Sequence, residues 1–422
     1  MTVSTQATTH LNPKCIQPSH VPDELVVDFD IYNPPNLQQG FHQAWKTLHA
    51  QGVPDIVWTP YNGGHWLTCR FKVMEDVLSQ YETFSSRIIL VPKERGDEYH
   101  ILPTHLSPPE HRPYRALLNS GLSPKKINAM KPEIERTIAG LIEGVRERGE
   151  CCFTSEIAAP FPTRIIMLIL GLPPEDGPYL KEYADQVMRP DGTMTVKEAE
   201  AKILEYLTPV IKDRRETPRD DMISCLVNGT INGEPLPDDH AYQLCVEVIV
   251  AGLDTIVNFM NFAMLYLAEH PEQRKLLTQN PELIPAATDE FVRRYGLVVV
   301  GRYVEQDVSF HGVDMKAGEM VINATFLPAL DERINPDPMT VDFDRSNVEH
   351  TTFGAGPHRC AGAPLARVEI IAALQAWLAR IPDFEVKQGA TPNYKAGTVG
   401  SMEDLYLVWD PKATTSIEPS AA

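Results

Sequence analysis

The sequence of 422 residues predicts a mainly α-helical protein with a minor β portion, and three observations carry that prediction. From Ser107 onward, most segments repeat apolar residues at helical spacing. Residues 239–270 are apolar nearly all round and would span roughly 48 Å as a helix, which is typical of a helix buried through the middle of a large protein. Segments with the composition of strands are short and few.

The N-terminal part of the chain is the less helical. Residues 1–35 are rich in Pro, Thr and Asn and predict an irregular arm, after which residues 36–422 predict a single domain. Residues 37–51 have the spacing of a short amphipathic helix. The turn Y-N-G-G at residues 61–64 lies between two strand-like runs and predicts a β-hairpin, and residues 71–81 return to helical spacing.

Six further segments have helical spacing, and three later ones have the composition of strands. The helices are expected at residues 109–118, 125–148, 157–171, 174–188, 195–216 and 220–228. The strands are expected at residues 308–310, 320–323 and 405–409. Because no repeat or low-complexity linker separates these segments, they predict one large domain.

Composition and charge exclude several classes of function. The formal net charge is 38 minus 57, or −19, which disfavours nucleic acid and anionic membranes as partners. The seven cysteines include no C-x-x-C pair, which favours a reducing compartment over a disulfide framework or a structural zinc site. The N-terminus has no basic or apolar signal region, so we expect a cytoplasmic protein without a membrane anchor.

One cysteine lies in an unusual loop. Residues 353–362 read F-G-A-G-P-H-R-C-A-G, and a long helical pattern follows directly. Three glycines, Gly354, Gly356 and Gly362, would allow positive φ or a close backbone approach. Backbone N–H groups at the helix N-terminus would favour the Cys360 thiolate over the thiol. The alternative is a buried, inert cysteine.

Two further patterns lie in the helical region. The buried 239–270 segment contains A-G-L-D-T at residues 251–255, and such residues are locally unfavourable in a helix. They indicate either close packing against a neighbouring helix or a groove for a ligand, with Asp254 and Thr255 supplying protons. Glu290 and Arg293 form an E-x-x-R pair on one helix face, a weak signal by itself.

Together and in this order, the three patterns resemble the cytochrome P450 family. The resemblance covers almost the whole chain and is strongest to the soluble bacterial camphor hydroxylases. Further shared segments are F-D-x-Y-N-P at 29–34, V-W-T at 57–59, N-G-G-H-W at 62–66, R-P-D-G at 189–192, L-D-E-R at 330–333 and H-T-T-F-G at 350–354. The resemblance implies a cytochrome P450 fold, with a long central helix over a haem, and heme b (iron protoporphyrin IX) as cofactor.

The same resemblance assigns roles to individual residues. Cys360 would be the axial thiolate ligand of the haem iron, and therefore also the metal ligand. Asp254 and Thr255 match the catalytic pair that delivers protons while dioxygen is cleaved. The residues that match haem-propionate partners are His111, Arg115, Arg302 and His358. Glu290, Arg293 and Arg345 match a structural network behind the haem.

A substrate pocket is implied as well. Its residues would be Leu90, Tyr99, Thr104, Leu106, Glu247, Val250, Val298 and Val399. Tyr99 aligns with the tyrosine that donates a hydrogen bond to the ketone of camphor, but Leu90 replaces an aromatic residue, Leu106 a methionine and Glu247 a leucine. The favoured interpretation of Glu247 is an outward salt bridge; the alternative is a paired or protonated carboxyl near the substrate.

The resemblance implies a monooxygenase that uses dioxygen to hydroxylate a small apolar terpenoid, either a camphor-like monoterpene or an ionone-like norisoprenoid. Electrons would come from NADH through a ferredoxin reductase and a [2Fe-2S] ferredoxin. Arg112 and Arg115 would suit an acidic ferredoxin, whereas Glu75 and Glu82 stand where relatives place arginines.

Two alternative functions follow from the same residues. A haem-thiolate isomerase or peroxide-driven enzyme is disfavoured because both Asp254 and Thr255 are present. A non-enzymatic haem or terpenoid sensor is disfavoured because the sequence has no recognisable DNA-binding or signalling segment.

Overall fold

A computed structural model describes residues 14–97, 100–188 and 193–417. The α-helices in this part of the chain are α1 (Phe41–Lys46), α2 (Phe71–Ser79), α3 (Lys93–Asp97), α4 (His111–Gly121), α5 (Pro124–Arg146), α6 (Pro160–Leu170), α7 (Gly177–Met188), α8 (Val196–Glu216), α9 (Met222–Val227), α10 (Asp238–Leu253), α11 (Thr255–Glu269), α12 (Pro271–Gln279), α13 (Ile284–Arg294) and α14 (Ala363–Arg380). The prediction of a mainly α-helical fold with a minor β portion is confirmed.

The strands are short. In the described ranges they are β1 (Ile56–Thr59), β2 (His65–Thr68), β3 (Phe84–Ser85), β4 (Glu150–Cys152), β5 (Thr230–Ile231), β6 (Glu234–Pro235), β7 (Val299–Val304), β8 (Val308–Phe310), β9 (Val313–Met315), β10 (Met320–Ala324), β11 (Glu385–Val386), β12 (Tyr394–Lys395), β13 (Ser401–Met402) and β14 (Tyr406–Val408). The largest sheet has the order β1-β2-β10-β7-β3. In it β10 runs parallel to β2, and the other pairs are antiparallel.

Local sequence explains where several elements begin and end. The predicted hairpin is β1–β2, with Trp58 paired to Trp66, and Asn62, Gly63 and Gly64 of its turn take positive φ. Helix α8 begins after Thr195, whose hydroxyl accepts the N–H of Glu198 while the Glu198 carboxylate accepts the N–H of Thr195. Such a capping box stabilises the first turn.

Three predicted helices are shorter than expected. The helix expected at residues 37–51 is split, because Gly40 has a φ of 146° and α1 cannot begin before it. The helix expected from residue 157 is divided: Thr154–Ala158 form a π-helical turn, and α6 begins at Pro160, which lacks an N–H and fits the first helical position. The helix expected from residue 220 begins as α9 after Asp221, whose carboxylate accepts the N–H of Ser224 at 2.7 Å.

The predicted central helix is interrupted. Asp254 has a φ of −112°, far from the helical value of about −63°, and separates α10 from α11. The combined stretch is long and apolar enough to cross a membrane, but 72% of its most apolar window is buried inside the protein. It is therefore a core helix with a break in its middle.

One hydrophobic cluster extends from Phe29 to Trp409 and unites the helical part of the chain. A smaller cluster lies around the five-stranded sheet. The described part of the N-terminal arm, residues 14–35, contains a single helical turn and packs Phe29 and Ile31 into the main core.

Candidate active site around Cys360

The loop before α14 is shaped by two glycines. Gly354 and Gly356 have φ values of 71° and 64°, in the left-handed region. A Cβ at Gly356 would also lie 2.4 Å from the carbonyl oxygen of Leu78, so the loop packs directly on the end of α2. Gly362 differs from the expectation, because its φ is −81°. A Cβ there would approach Cys360 Sγ to 3.7 Å.

We expect Gly356→Ala to destabilise the protein by about 2–4 kcal/mol in the free energy of unfolding. The left-handed φ accounts for about 1 kcal/mol or more, and the contact with the Leu78 carbonyl adds an overpacking term of about 1–3 kcal/mol. Gly389→Ala is the matched control, because Gly389 has a φ of 83° but no atom within 4 Å of a new Cβ. Urea unfolding of the haem-loaded proteins gives both values; equal losses would show that the close contact with α2 is unimportant.

Cys360 lies before α14, with its thiol on the surface of an interior space. Surrounding protein raises the pKa of the thiol, because burial disfavours the charged form. The backbone N–H groups of Gly362 and Ala363 and the guanidinium of Arg115 act in the opposite direction. The helix-terminal donors that the sequence predicted are present, and burial opposes their effect on the thiol pKa. A bound metal cation would supply the remaining charge, since coordinating thiols are deprotonated.

Side chains at the break between α10 and α11 are accessible as well. Ala251 is exposed and Thr255 half-exposed, although Val250 and Leu253 beside them are buried. Glu247, one turn before Ala251, acts electrostatically on Cys360, which places the two elements near each other. From this exposure and proximity we infer one space, the central cleft, between Ala251, Thr255 and Glu247 on one side and Cys360 with Arg115 on the other.

The two interpretations of A-G-L-D-T apply to different residues. Gly252 packs against α6, because a Cβ there would lie 2.4 Å from Ile166 Cδ1. Ala251 and Thr255 instead present their surface to the cleft. Thr255 Oγ1 is 3.5 Å from the Ala251 carbonyl oxygen, at the limit for a hydrogen bond, so this contact holds the hydroxyl weakly. The Asp254 carboxylate accepts from the Asn258 amide at 3.0 Å.

The four residues assigned to haem propionates lie close together. The rings of His111 and His358 are 4.2 Å apart between centroids, and their Nε2 atoms are buried without a hydrogen-bond partner. Arg302 is buried, and burial lowers its pKa to about 10. Burial, followed by nearby Arg115 and Arg302, lowers the pKa of His111 to about 4.

This cluster fits a dianionic group. Within residues 14–97, 100–188 and 193–417, no ion pair connects any of the four residues to a carboxylate of the chain. A buried cation and unpartnered buried N–H groups are costly unless an anion accepts from them. Two carboxylates placed here would satisfy them, so the donor set suits the propionates of a haem whose iron is bound by Cys360.

The E-x-x-R pair is a fully buried network. Arg293 donates from Nε and Nη2 to the two oxygens of Glu290 at 2.7 Å each, and further donors reach the carbonyls of Ala329 and Pro338. Arg345 adds a third member, with its Nε 3.2 Å from both Glu290 oxygens. Every strong polar group of the pair therefore has a partner, and the network ties α13 to the 329–345 segment.

The residues assigned to the substrate pocket are only partly brought together. Val298 and Val399 pair in an isolated β-bridge, and Leu90, Thr104 and Leu106 are half-buried. Tyr99 and the R-P-D-G segment lie outside the described residues.

Glu247 forms no outward salt bridge in the described structure, contrary to the favoured interpretation. Its Oε1 accepts from Thr104 Oγ1 at 2.5 Å. Helix α10 packs on α6, α7, α8 and α9, and the surrounding protein buries the carboxyl enough to raise its pKa.

Comparisons with known proteins agree with this geometry. The family model described as Cytochrome P450 matches residues 186–402. The probable cytochrome P450 127A1 of Sinorhizobium fredii is 31% identical, over 93% of this chain and 96% of its own. The steroid C26-monooxygenase of Mycolicibacterium smegmatis is 30% identical, over 89% and 94%. The crystal structure of CYP101J2 is 42% identical with a TM-score of 0.88, covering 94% of this chain and 99% of its own. That of CYP101C1 is 36% identical with a TM-score of 0.87, covering 94% and 100%.

Proposed function

This chain belongs to the cytochrome P450 family and is a haem-thiolate monooxygenase, and we propose that it hydroxylates a small apolar terpenoid with dioxygen and ferredoxin-supplied electrons. The observation that carries the proposal is that the Cys360 thiol is accessible, that Ala251 and Thr255 at the helix break are accessible as well, and that Glu247 of α10 acts electrostatically on Cys360. In the proposal, Val250, Val298 and Val399, which belong to or pack against the main hydrophobic cluster, form an apolar wall that disfavours charged substrates because it cannot solvate them.

In this proposal, each side chain has a role that follows from its chemistry. A haem bound through Cys360 supplies dioxygen activation, which the electron-rich thiolate favours. Arg115, Arg302, His111 and His358 hold the propionates by charge-assisted hydrogen bonds. The Thr255 hydroxyl, weakly held at 3.5 Å from the Ala251 carbonyl, is free to turn and donate a proton into the cleft, and Asp254 replenishes it.

The proposed electron donor is a [2Fe-2S] ferredoxin reduced by an NADH-dependent reductase, and the proposed compartment is the cytoplasm. Arg112 is exposed on α4, whose next turn carries Arg115, and this positive charge suits an acidic partner. Glu75 and the exposed Glu82 carry negative charge that would repel an acidic ferredoxin. We therefore expect the protein to bind some ferredoxins better than others.

The proposed function is tested with the haem-loaded protein. Reduced protein with carbon monoxide should show the strongly red-shifted Soret band of a thiolate haem. A panel of monoterpenes and norisoprenoids should then change the haem spin state, and NADH with reductase and ferredoxin should yield a hydroxylated terpenoid. A thiolate band with no response to any terpenoid, but with a response to another ligand class, would refute the terpenoid assignment.

Thr255→Ala should separate electron consumption from hydroxylation. Without the hydroxyl, proton delivery is misplaced, and we expect most of the NADH consumed to appear as hydrogen peroxide. Thr255→Ser keeps a hydroxyl and should retain most of the coupling to product. Product and peroxide per NADH are the measurements, and the same coupling in Thr255→Ala and the wild type would remove Thr255 from proton delivery.

A further inference from the structure

The Glu247 carboxyl is an acidic group on α10, at the side of the central cleft. Thr104 donates a hydrogen bond to Oε1 at 2.5 Å, across 143 residues of sequence. No second hydrogen bond or ion pair to this carboxyl is formed by residues 14–97, 100–188 and 193–417. Among the described residues, one carboxyl oxygen therefore has a protein partner and the other has none.

The position of Glu247 on α10 directs it towards the substrate side of the cleft. Residues three and four positions apart on a helix are neighbours on its surface, so Glu247 lies beside Val250 and Ala251. Val250 is buried, whereas Ala251 is exposed to the cleft. Glu247 therefore lies beside the buried Val250 of the apolar wall and beside the exposed Ala251.

The surroundings favour a neutral carboxyl. Burial raises the pKa of Glu247 to about 7, while the Thr104 hydrogen bond and the Arg115 charge act against this rise. Glu247 in turn acts to raise the pKa of the Cys360 thiol. A neutral carboxyl has an O–H and can donate a hydrogen bond, which an ionised carboxylate cannot do.

We propose that Glu247 and Thr104 form a recognition subsite that selects terpenoids carrying an acceptor oxygen, a ketone or an ether, over hydrocarbons of the same shape. The inference rests on the proposed function and narrows its substrate class. Thr104 orients the carboxyl through Oε1, and the carboxyl O–H donates to the oxygen of the substrate. A bound acceptor oxygen orients the molecule, while the valine wall accepts its hydrocarbon part.

The test uses three probes with one bicyclic skeleton: camphor with a ketone, camphane with no polar group, and bornylamine with an ammonium group. Each variant is first shown to have the red-shifted carbon monoxide band, so a failure of the proposed function is recognised separately. Dissociation constants are then measured by the haem spin-state change and by calorimetry. In the wild type at pH 6, camphor should bind about tenfold more tightly than camphane, the effect of one hydrogen bond.

Substitutions at Glu247 separate recognition from packing. Glu247→Leu should reduce the camphor preference, to about onefold when Tyr99→Phe is also present, while camphane binds as well or better. Glu247→Gln keeps a donor and should keep the preference. The matched control is Glu269→Gln, an exposed glutamate on α11, which should leave all three dissociation constants unchanged. Tyr99→Phe, measured in parallel, shows how much of the camphor preference comes from another position.

The pH dependence has a definite sign. A ligand that accepts from the protonated carboxyl binds most tightly below the pKa of Glu247 and weakens as the pH rises through about 7. Glu247→Gln should abolish this dependence, and Thr104→Val should move it to higher pH, because the Thr104 hydrogen bond favours the ionised form. An unchanged camphor preference in Glu247→Leu, or a bornylamine affinity above that of camphor, would overturn the proposal.

Discussion

Arg293→Ala should lower the free energy of unfolding by about 3–5 kcal/mol, a large part of the stability of an ordinary domain. The substitution leaves the Glu290 carboxylate 1% exposed, with Arg345 at 3.2 Å as the cation remaining beside it. It also removes the donors to the carbonyls of Ala329 and Pro338. We expect a protein that binds haem poorly and unfolds at lower denaturant concentration.

The experiment compares this buried pair with an exposed one of the same spacing. Lys202 and Glu205 also stand three residues apart on a helix, with side chains 51% and 70% exposed. Lys202→Ala should change the free energy of unfolding by less than about 0.5 kcal/mol. Arg293→Lys keeps the positive charge but not the two parallel N–H donors. Its loss in the free energy of unfolding should therefore lie between those of Arg293→Ala and Lys202→Ala. Equal effects of Arg293→Ala and Lys202→Ala in urea unfolding would show that the buried network is not structural.

Cys360→Ser should abolish hydroxylation while leaving the fold intact. The serine hydroxyl is a much weaker anionic ligand than a thiolate, so the red-shifted carbon monoxide band should disappear and product should fall to the level of a reaction without enzyme. The loop itself should persist, because the N–H of residue 360 donates to the Phe353 carbonyl oxygen at 2.8 Å and this bond is independent of the side chain.

Another cysteine provides the control for that substitution. Cys152 lies on β4, half-exposed and 3.6 Å from an oxygen of Asp404, so Cys152→Ser should retain both the band and the activity. The spectrum of the reduced carbon monoxide complex and the rate of product formation are the two measurements. Persistence of the thiolate band in Cys360→Ser would assign the axial ligand to a different residue.

The sequence predicted the features that depend on local pattern. The hairpin β1–β2 follows from Y-N-G-G, because its turn residues tolerate positive φ. The ion pair of Glu290 and Arg293 follows from their spacing on α13, which brings residues three apart onto one face. The position of Cys360 directly before a helix follows from the apolar repeat after it.

Other features depend on contacts between distant segments and could not be predicted. The Glu247 carboxyl was expected to face outward, because helical spacing gives an angle but not the identity of the packed neighbours. Its partner Thr104 lies 143 residues away. Gly252 was ambiguous for the same reason, since only the position of Ile166 on α6 shows that this glycine serves helix packing.

The raised pKa of the Cys360 thiol also could not be predicted from the sequence. The helix-terminal N–H groups are visible as a pattern, whereas the burial that raises the thiol pKa is a property of the folded surroundings. The N–H groups that favour the thiolate were therefore predicted, and the opposing effect of burial was not.

The break at Asp254 gives the two halves of the central helix different neighbours. Helix α10 packs on α6, α7, α8 and α9, whereas α11 packs on α12, α14 and the strands β11 and β13. Substitutions that share no packing partner combine additively. Changes on α10 and α11 that lie far from the break should therefore add, whereas changes at Ala251 and Thr255, which contact each other across it, should couple. Substitutions on α10 should therefore change which substrates bind in the central cleft, while the loop before α14 that carries Cys360 keeps its structure.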